Sequence, residues 1–450
     1  MTRIPDVEGS DLVPRDPDVL SIGDRAAAEA ATRKLAEGYE DRAWGCMSSR
    51  HKFCREPCPV YQVTRNEQHT SYGFHATVAA MSQGLVDLED AYEQYAYCTQ
   101  CGACELRCPN TLFTGDFYRN RTQLVQLVKA VRAAGVEAGI ERGSWKQWNA
   151  DTVTYRNEMQ GDPAQVAGWA DDLDLPRGGE TILFCDCMAA YRQTKVPRAV
   201  SLLLREAGVE VGLMNDQWCC GGPALEMGYT DIYEQFARHN LEDWRAAGAR
   251  RVVTLDPHDY ITFVEDYPRL FGDYGIEVLH ITDLLAELIE QGKLRLERPI
   301  PVSVTYHDPC RLNKRRGIWE SPRKILRAIP GLDFRDVDHV TQWAMCSGAG
   351  GGLPVALPDV AEKVARNRLD AAAPIGADVL ASACVWAEDH LERVAAADGQ
   401  MPVVDITVLA AMSAGLLEAE PWLAEVGRNR EAGESTAGAP GASRGEEGRQ

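Results

Sequence analysis

Cys98-Thr-Gln-Cys101-Gly-Ala-Cys104-Glu-Leu-Arg-Cys108-Pro109 decides the fold of the first third of the chain. Three cysteines spaced by three residues, then a fourth after three more and a proline, is the spacing of iron–sulfur ligation. It lets Cys98, Cys101 and Cys104 each take one corner of a [4Fe–4S] cubane. Gly102 lets the backbone curl close to the cluster, because a residue without Cβ tolerates positive φ. Where two such clusters share one domain, the fourth cysteine, here Cys108, reaches to the other cluster. Structural zinc prefers two separated Cys-x-x-Cys pairs to one run of four.

Upstream lies a second group, Cys46-x7-Cys54-x3-Cys58-Pro59, whose Cys-x3-Cys-Pro ending repeats that of Cys104 to Pro109. Counting back from Cys54 in threes gives His51 and Ser48 where cysteines would stand. Cys46, Cys54 and Cys108 then hold the first cluster, with His51 a candidate fourth ligand. A three-iron cluster and a solvated His51 stay open as alternatives. Histidine ligation raises a cluster's potential, because a neutral imidazole replaces an anionic thiolate. Between the groups, Val78, Met81, Leu85, Leu88, Tyr92 and Tyr95 fall at helical spacing across Thr77–Tyr97. Arg25–Glu37 and Leu124–Ala138 read as further helices. Two cysteine loops separated by helices make an α-helical dicluster ferredoxin layout.

The chain has 450 residues, room for about two or three domains. A net charge of −20 argues against nucleic acid and against anionic membrane surfaces. No apolar run is long enough to span a bilayer, and Met1–Asp24 has no apolar stretch of the kind that opens a secretory signal. The 14 cysteines are therefore expected as metal ligands in a reducing cytoplasm, not as disulfides.

After Gly179 the pattern changes to strands alternating with helices. Thr181–Phe184, Glu210–Leu213, Arg251–Leu255 and Glu277–Ile281 read as strands; Val196–Ala207, Ile232–Ala247 and Asp283–Gln291 read as helices. The order recurs in Val302–Tyr306, Ala361–Ala373, Val379–Ser382 and Val403–Ile406. Cys187 aligns with Cys310, Cys220 with Cys346, and Ile281-Thr282 with Ile406-Thr407, at an offset of about 125 residues. The expected fold is an α+β multidomain chain: a helical dicluster domain, then two pseudo-repeated α/β domains. Its parts are an arm and helix (1–43), the dicluster domain (44–160), a polar linker (161–179), the two repeats (180–295 and 296–420) and a disordered tail (421–450).

Each repeat carries cysteines at strand ends and glycine-rich loops: Cys187 and Trp218-Cys219-Cys220-Gly-Gly-Pro, then Cys310, Met345-Cys346-Ser-Gly-Ala-Gly-Gly-Gly and Cys384. Such positions converge in a crevice at the carboxyl edge of an α/β sheet. The plain alternative is that these are small core residues, and for Cys185 it is preferred. Gly348–Leu353 lacks the last glycine of the dinucleotide fingerprint, and no phosphate-cradling P-loop motif occurs. His307 reads either as a hydrogen-bond donor to a cluster sulfur or as a cap of its local turn.

Cys187-Met-Ala-Ala-Tyr-Arg-Gln, Trp218-Cys-Cys-Gly-Gly-Pro, Tyr306-His-Asp-Pro-Cys-Arg-Leu and Ser321–Pro330 resemble the cysteine-rich "CCG" domain family. That family includes the D-type subunit of heterodisulfide reductase and the iron–sulfur subunits of glycolate oxidase, lactate oxidase and anaerobic glycerol-3-phosphate dehydrogenase. The resemblance, spanning about Cys46–Leu416, implies an electron-carrying subunit coupled to a flavoprotein, with a quinone-reducing membrane partner as a further candidate. It implies a further iron–sulfur cluster in the region of Cys187, Cys219, Cys220, Cys310, Cys346 and Cys384, two sets that the pseudo-symmetry of the repeats is expected to bring face to face; one shared cluster, a cluster with other ligands and a relic site stay open.

The family's full motif is one Cys, then Cys-Cys-Gly, then Cys-x-x-Cys. Here the last pair is Asp256-Pro-His-Asp259 in the first repeat. In the second repeat the motif reads Met345-Cys346-Ser347 and Cys384-Val-Trp-Ala387. Asp256 and Asp259 are expected mainly as solvated loop carboxylates, with oxygen ligation the second reading. No flavin or nicotinamide motif is present, so the organic cofactor is expected on another chain. Two rival readings are a self-contained disulfide reductase and a redox sensor or docking scaffold.

The two-group layout makes a direct prediction. Cys101→Ser removes one cluster's iron from anaerobically prepared protein, whereas changing Cys58 or Cys108 damages both clusters. Iron counting and electron paramagnetic resonance (EPR) of the three variants check it.

Overall fold

The computed structural model describes residues 18–21, 25–108, 123–337, 343–419, 421–423 and 426. Pro109, most of the amino-terminal arm and nearly all of the expected tail lie outside them. The short strands β1 (Val19–Ser21) and β2 (Ile140–Arg142) pair antiparallel. Three-residue strands carry too little periodicity to be read from sequence.

In the helical part, Arg25–Ser48 packs along Ser71–Ser82 and buries Ala28, Leu35 and Ala43. It runs eleven residues beyond the expected end at Glu37, through Gly38 and Gly45, and so carries Cys46 on its last turn. The helix expected over Thr77–Tyr97 is two helices, Ser71–Ser82 and Leu88–Tyr95. The break falls at Gly84, whose φ of +65° ends the first, and Asp87 caps the second by accepting from Asp90 N at 3.0 Å. Leu85, counted in the apolar stripe, sits in this turn and is exposed. Leu124–Glu137 is the expected amphipathic helix, and Gly143–Tyr155 adds another.

The rest is two parallel α/β units. β3 (Thr181–Phe184), β4 (Arg251–Thr254) and β5 (Glu277–His280) form one sheet in that order. β6 (Ser303–His307), β7 (Asp333–Phe334), β8 (Val379–Ser382) and β9 (Val403–Asp405) form the second, in the order β7-β6-β8-β9. Glu210–Leu213, read as a strand, makes only isolated bridges from Gly212 and Leu213. It lies beside β3 as β7 lies beside β6, so the two units repeat one topology. The repeat extends to capping: His280 accepts from Thr282 N where β5 meets its helix, and Asp405 accepts from Thr407 N after β9. Helices Lys195–Glu206 and Ile406–Ser413 pack together, as do Ile281–Glu290 and Glu320–Ala328, and they join both units in one apolar core. The stretch 161–179 is not a free connection. Its Trp169, Ala170 and Leu173 are buried in that core. No helix among the described residues is long and apolar enough to cross a membrane.

The three parts meet at Arg132, whose side chain is fully buried on the helix Leu124–Glu137. Its Nε donates to Tyr95 O at 3.1 Å and its Nη2 to Tyr95 O at 2.7 Å and Cys98 O at 2.9 Å. Nη1 donates to Glu226 O and Gly351 O, both at 2.7 Å. All five guanidinium N–H groups are thus used, on carbonyls from the helical part and both repeats. Burial holds this guanidinium below its ordinary pKa, and Trp145 covers its face at 4.6 Å. The glycine-rich loop allows the approach. A Cβ on Gly351 would stand 2.4 Å from Cys98 O, and one on Gly350 3.1 Å from Thr99 O.

Arg132→Met leaves carbonyls of all three parts without donors. It is expected to cost about 3–5 kcal/mol, read as a lowered urea midpoint of the full chain. Arg132→Lys, with three donors in place of a planar five, recovers only part of the loss.

Candidate metal centres and the cavity beside them

The seven amino-terminal cysteines fall into two sets. Cys58, Cys98, Cys101 and Cys104 line the wall of one small cavity, closed by apolar groups of Val60, Phe74, Leu124 and Val125. Gly102, at φ +75°, makes the turn that starts the helix Ala103–Arg107 and places Cys101 and Cys104 around it. Backbone N–H groups are aimed at these sulfurs: Gln100 N reaches Cys98 Sγ at 3.3 Å and Tyr61 N reaches Cys58 Sγ at 3.5 Å. Such bonds favour thiolate over thiol. Burial works the other way and pushes the Cys98 thiol up to about 12. Four cysteines around a dry pocket, with N–H dipoles turned toward their sulfurs, fit a [4Fe–4S] cluster.

Cys46, Cys54 and Cys108 form the other set. Burial, with the nearby charges of Cys54 and Cys108, pushes Cys46 up to about 12. The grouping follows the expected exchange, Cys58 standing with the later cysteines and Cys108 with the earlier ones. His51 stacks on Phe53 at 5.6 Å, and both of its ring nitrogens are buried without a hydrogen-bond partner. An orphaned imidazole three residues before Cys54 fits a ligand better than a solvated surface residue.

The repeats place their cysteines in two further sets. Cys187, Cys219 and Cys220 are buried together under Phe184, Phe263 and Tyr267. Asn240 Nδ2 donates to Cys219 O at 2.9 Å and Tyr267 Oη to Cys220 O at 3.2 Å, fixing this loop. Asp259 lies against the Cys220 thiol. In the second repeat the Cys346 thiol lies against Cys310 and against Cys101 of the ferredoxin part. Cys384 caps the helix Val385–Asp398 as Asp256 caps Pro257–Ile261, and these two equivalent side chains touch. Cys187 and Cys310, expected at strand ends, instead open helices. The six thiols do not form one face-to-face group. Cys185 is buried in the apolar core. Among the described residues no three His, Cys, Asp or Glu side chains converge on one point as a mononuclear ion requires. A cluster, with one thiolate per corner, does not need that convergence.

A cavity of about 460 Å³ opens between the repeats, with Cys310, Cys346 and Cys384 on its wall and none of the first repeat's cysteines. Glu226 anchors one side. Burial opposes its charge, but Arg311 at 2.5 Å, His258 at 3.3 Å and Lys129 hold its carboxyl well below the usual range. The Cys346 thiol, with Arg311 and Lys314, holds Cys310 below the ordinary thiol range against burial. His307 also lines the cavity. Arg368 Nε donates to its Nδ1 at 3.0 Å, and burial with the Arg368 charge keeps the ring neutral, so Nε2 carries the hydrogen.

Family comparison agrees with this layout. A 4Fe-4S dicluster domain matches residues 42–112, and the cysteine-rich domain CCG matches twice, at 181–263 and 304–386. The D-type subunit of dihydromethanophenazine:CoB–CoM heterodisulfide reductase from Methanosarcina acetivorans is 31% identical over 387 residues, 81% of this chain and 92% of that protein. The chain belongs to this family of CCG-domain iron–sulfur proteins. The B-type subunit of fumarate reductase (CoM/CoB) from Methanothermobacter marburgensis is 28% identical over 82% of the chain and 72% of its own length. EtfAB:quinone oxidoreductase of Syntrophomonas wolfei is 30% identical over 57% of the chain and 36% of its own length. A crystal structure of a hypothetical Helicobacter pylori protein shares the fold, with a TM-score of 0.53 at 12% identity over 87% of this chain and 78% of that one. The chain is an iron–sulfur protein with an electron-transfer role.

Sequence reasoning passed over Arg132, Glu226 and Arg311, and took Asp256 and Asp259 mainly for solvated groups. Both aspartates are buried, at 0% and 1% exposure. The sequence holds two signals of the missed residues: Arg132 and Lys129 interrupt the stripe Leu124, Leu127, Val128, Val131, and Arg311 follows Cys310 directly.

His51→Cys is expected to keep the first cluster and lower its potential, because thiolate adds negative charge at the iron. A redox titration followed by EPR reads it. An unchanged potential and signal would remove His51 from the ligand set.

Proposed function

We propose that the chain is the electron-transfer subunit of a multi-component oxidoreductase, working between a flavoprotein partner and an acceptor bound in the cavity between the repeats. One observation carries this reading. A continuous line of sulfur runs from Cys101, in the four-cysteine pocket, through Cys346 to Cys310 on the cavity wall. Iron–sulfur clusters supply one-electron steps, which suits a chain with no flavin or nicotinamide motif of its own. Cys46, Cys54, Cys108 and His51 would hold one cluster, and Cys58, Cys98, Cys101 and Cys104 the other. The relatives' names support partner subunits: two are subunits of a heterodisulfide reductase and of a fumarate reductase, and a third is an oxidoreductase named for EtfAB and quinone.

A second reading is favoured by the same cavity. Cys310 is held below the ordinary thiol range and half-exposed beside Cys346, which suits attack on a disulfide. In that case the acceptor is a disulfide rather than a further redox protein.

Mixing the oxidised chain with a reduced electron-transfer flavoprotein should bleach its cluster absorption; no bleaching would overturn the flavoprotein assignment. Cys346→Ala should keep that bleaching and slow onward transfer to an acceptor by about tenfold or more. Consumption of an added aliphatic disulfide by the reduced chain, lost in Cys310→Ser, would select the second reading.

A further inference from the structure

Asp256-Pro-His-Asp259 stands where the second Cys-x-x-Cys of the family motif belongs, and the structure gives those carboxylates a place that surface residues do not have. Both side chains are buried, and each has an Oδ2 with no hydrogen-bond partner. A buried carboxylate oxygen without a partner is costly unless it is protonated or bound to a cation. Among the described residues no Lys, Arg or His side chain forms an ion pair with Asp259, whose Oδ2 is buried without a partner. Arg311 and His258 are committed to Glu226.

The surroundings of Asp259 are thiols. It lies against Cys220, and the Cys219 thiol lies between those of Cys220 and Cys187. Two glycines bring the Cys-Cys loop to the segment that carries Asp259. Gly221 turns at φ +82°, and a Cβ on Gly222 would stand 2.2 Å from Thr262 Oγ1. Gly222 N also reaches Cys220 Sγ at 3.3 Å, one more N–H aimed at a sulfur. Three thiols and one unpartnered carboxylate oxygen are therefore buried together in the first repeat, none of them on the cavity wall.

We propose that Asp259 completes, with Cys187, Cys219 and Cys220, a mixed thiolate–carboxylate ligand set for an iron–sulfur cluster in the first repeat. The inference rests on the reading that this region holds iron, and adds an oxygen ligand where the family motif has a cysteine. Carboxylate is a harder ligand than thiolate and binds iron without the strong covalency of sulfur. The iron it holds is the one most readily exchanged or lost. Asp256, touching Cys384, has the equivalent orphaned oxygen on the side of the second repeat and is left outside this set.

The test uses the full chain, purified anaerobically, with iron and sulfide counted per chain and EPR recorded before and after reduction. Cys220→Ser should lower the iron count while both ferredoxin-type signals persist, which also shows that the protein is folded. Asp259→Asn, close in shape, should lose at least one iron from the same site or convert it to a three-iron signal. Asp259→Cys should restore the count with an altered EPR signal and a lower potential. If Cys220→Ser leaves iron unchanged, the first repeat is not metallated and the underlying reading fails. If Cys220→Ser loses iron but both Asp259 variants keep the wild-type count, signal and potential, only the Asp259 assignment is overturned. A metal other than iron in the Cys220-dependent site overturns it as well.

Discussion

A single guanidinium sets the relation between the parts of this molecule. Arg132 is held by carbonyl oxygens of Tyr95, Cys98, Glu226 and Gly351. A buried cation satisfied by backbone is costly unless every donor is used, and here every donor is. The carbonyls it needs come from the loop that begins the four-cysteine run, from the helix after the Cys-Cys loop and from the glycine-rich loop after Cys346. Binding one arginine therefore fixes the distance between the thiol sets. The glycines follow from this, because side chains at 350 and 351 would hold the loop away from Cys98 and Thr99. A second buried pair, Lys129 with Asp266 at 3.0 Å, ties the same helix to the first repeat.

Much of this was legible in the sequence because iron–sulfur ligation is local. The spacing of Cys98, Cys101 and Cys104 groups these three, and the exchange of Cys58 and Cys108 between the two sets was read from the Cys-Pro endings. The α/β repeat was legible because strands buried on both faces, such as Val252-Val253 and Val379-Leu380, are short apolar runs between helical stretches. The rest was not legible because it depends on contacts between distant segments. Nothing around position 132 says that carbonyls from positions 98, 226 and 351 will meet there. The burial of Asp259 depends on the approach of residues 219–222 to the helix start at Pro257. The turn at Gly84 and the pairing of β1 with β2 failed for the opposite reason: their signals are local but too short to outweigh a longer apolar period.

The two repeats share a topology and have divided its uses. In the first, the thiols face inward under aromatic side chains, with carboxylates where the motif's last cysteines would be. In the second, the thiols line the cavity and one of them, Cys346, touches Cys101. A symmetric pair of sites would give each half the same access to the ferredoxin part and to the cavity. Among the thiols, the observed arrangement gives both contacts to those of the second repeat. The departures from the full motif differ in kind between the halves. Met345 and Ala387 supply no anionic donor in the second repeat, whereas in the first Asp259 keeps such a donor beside Cys220 and Asp256 keeps one at the cavity wall beside Cys384. Charge makes the difference intelligible. Replacing thiolate by carboxylate preserves a negative donor for a bound cation, and replacing it by methionine or alanine does not.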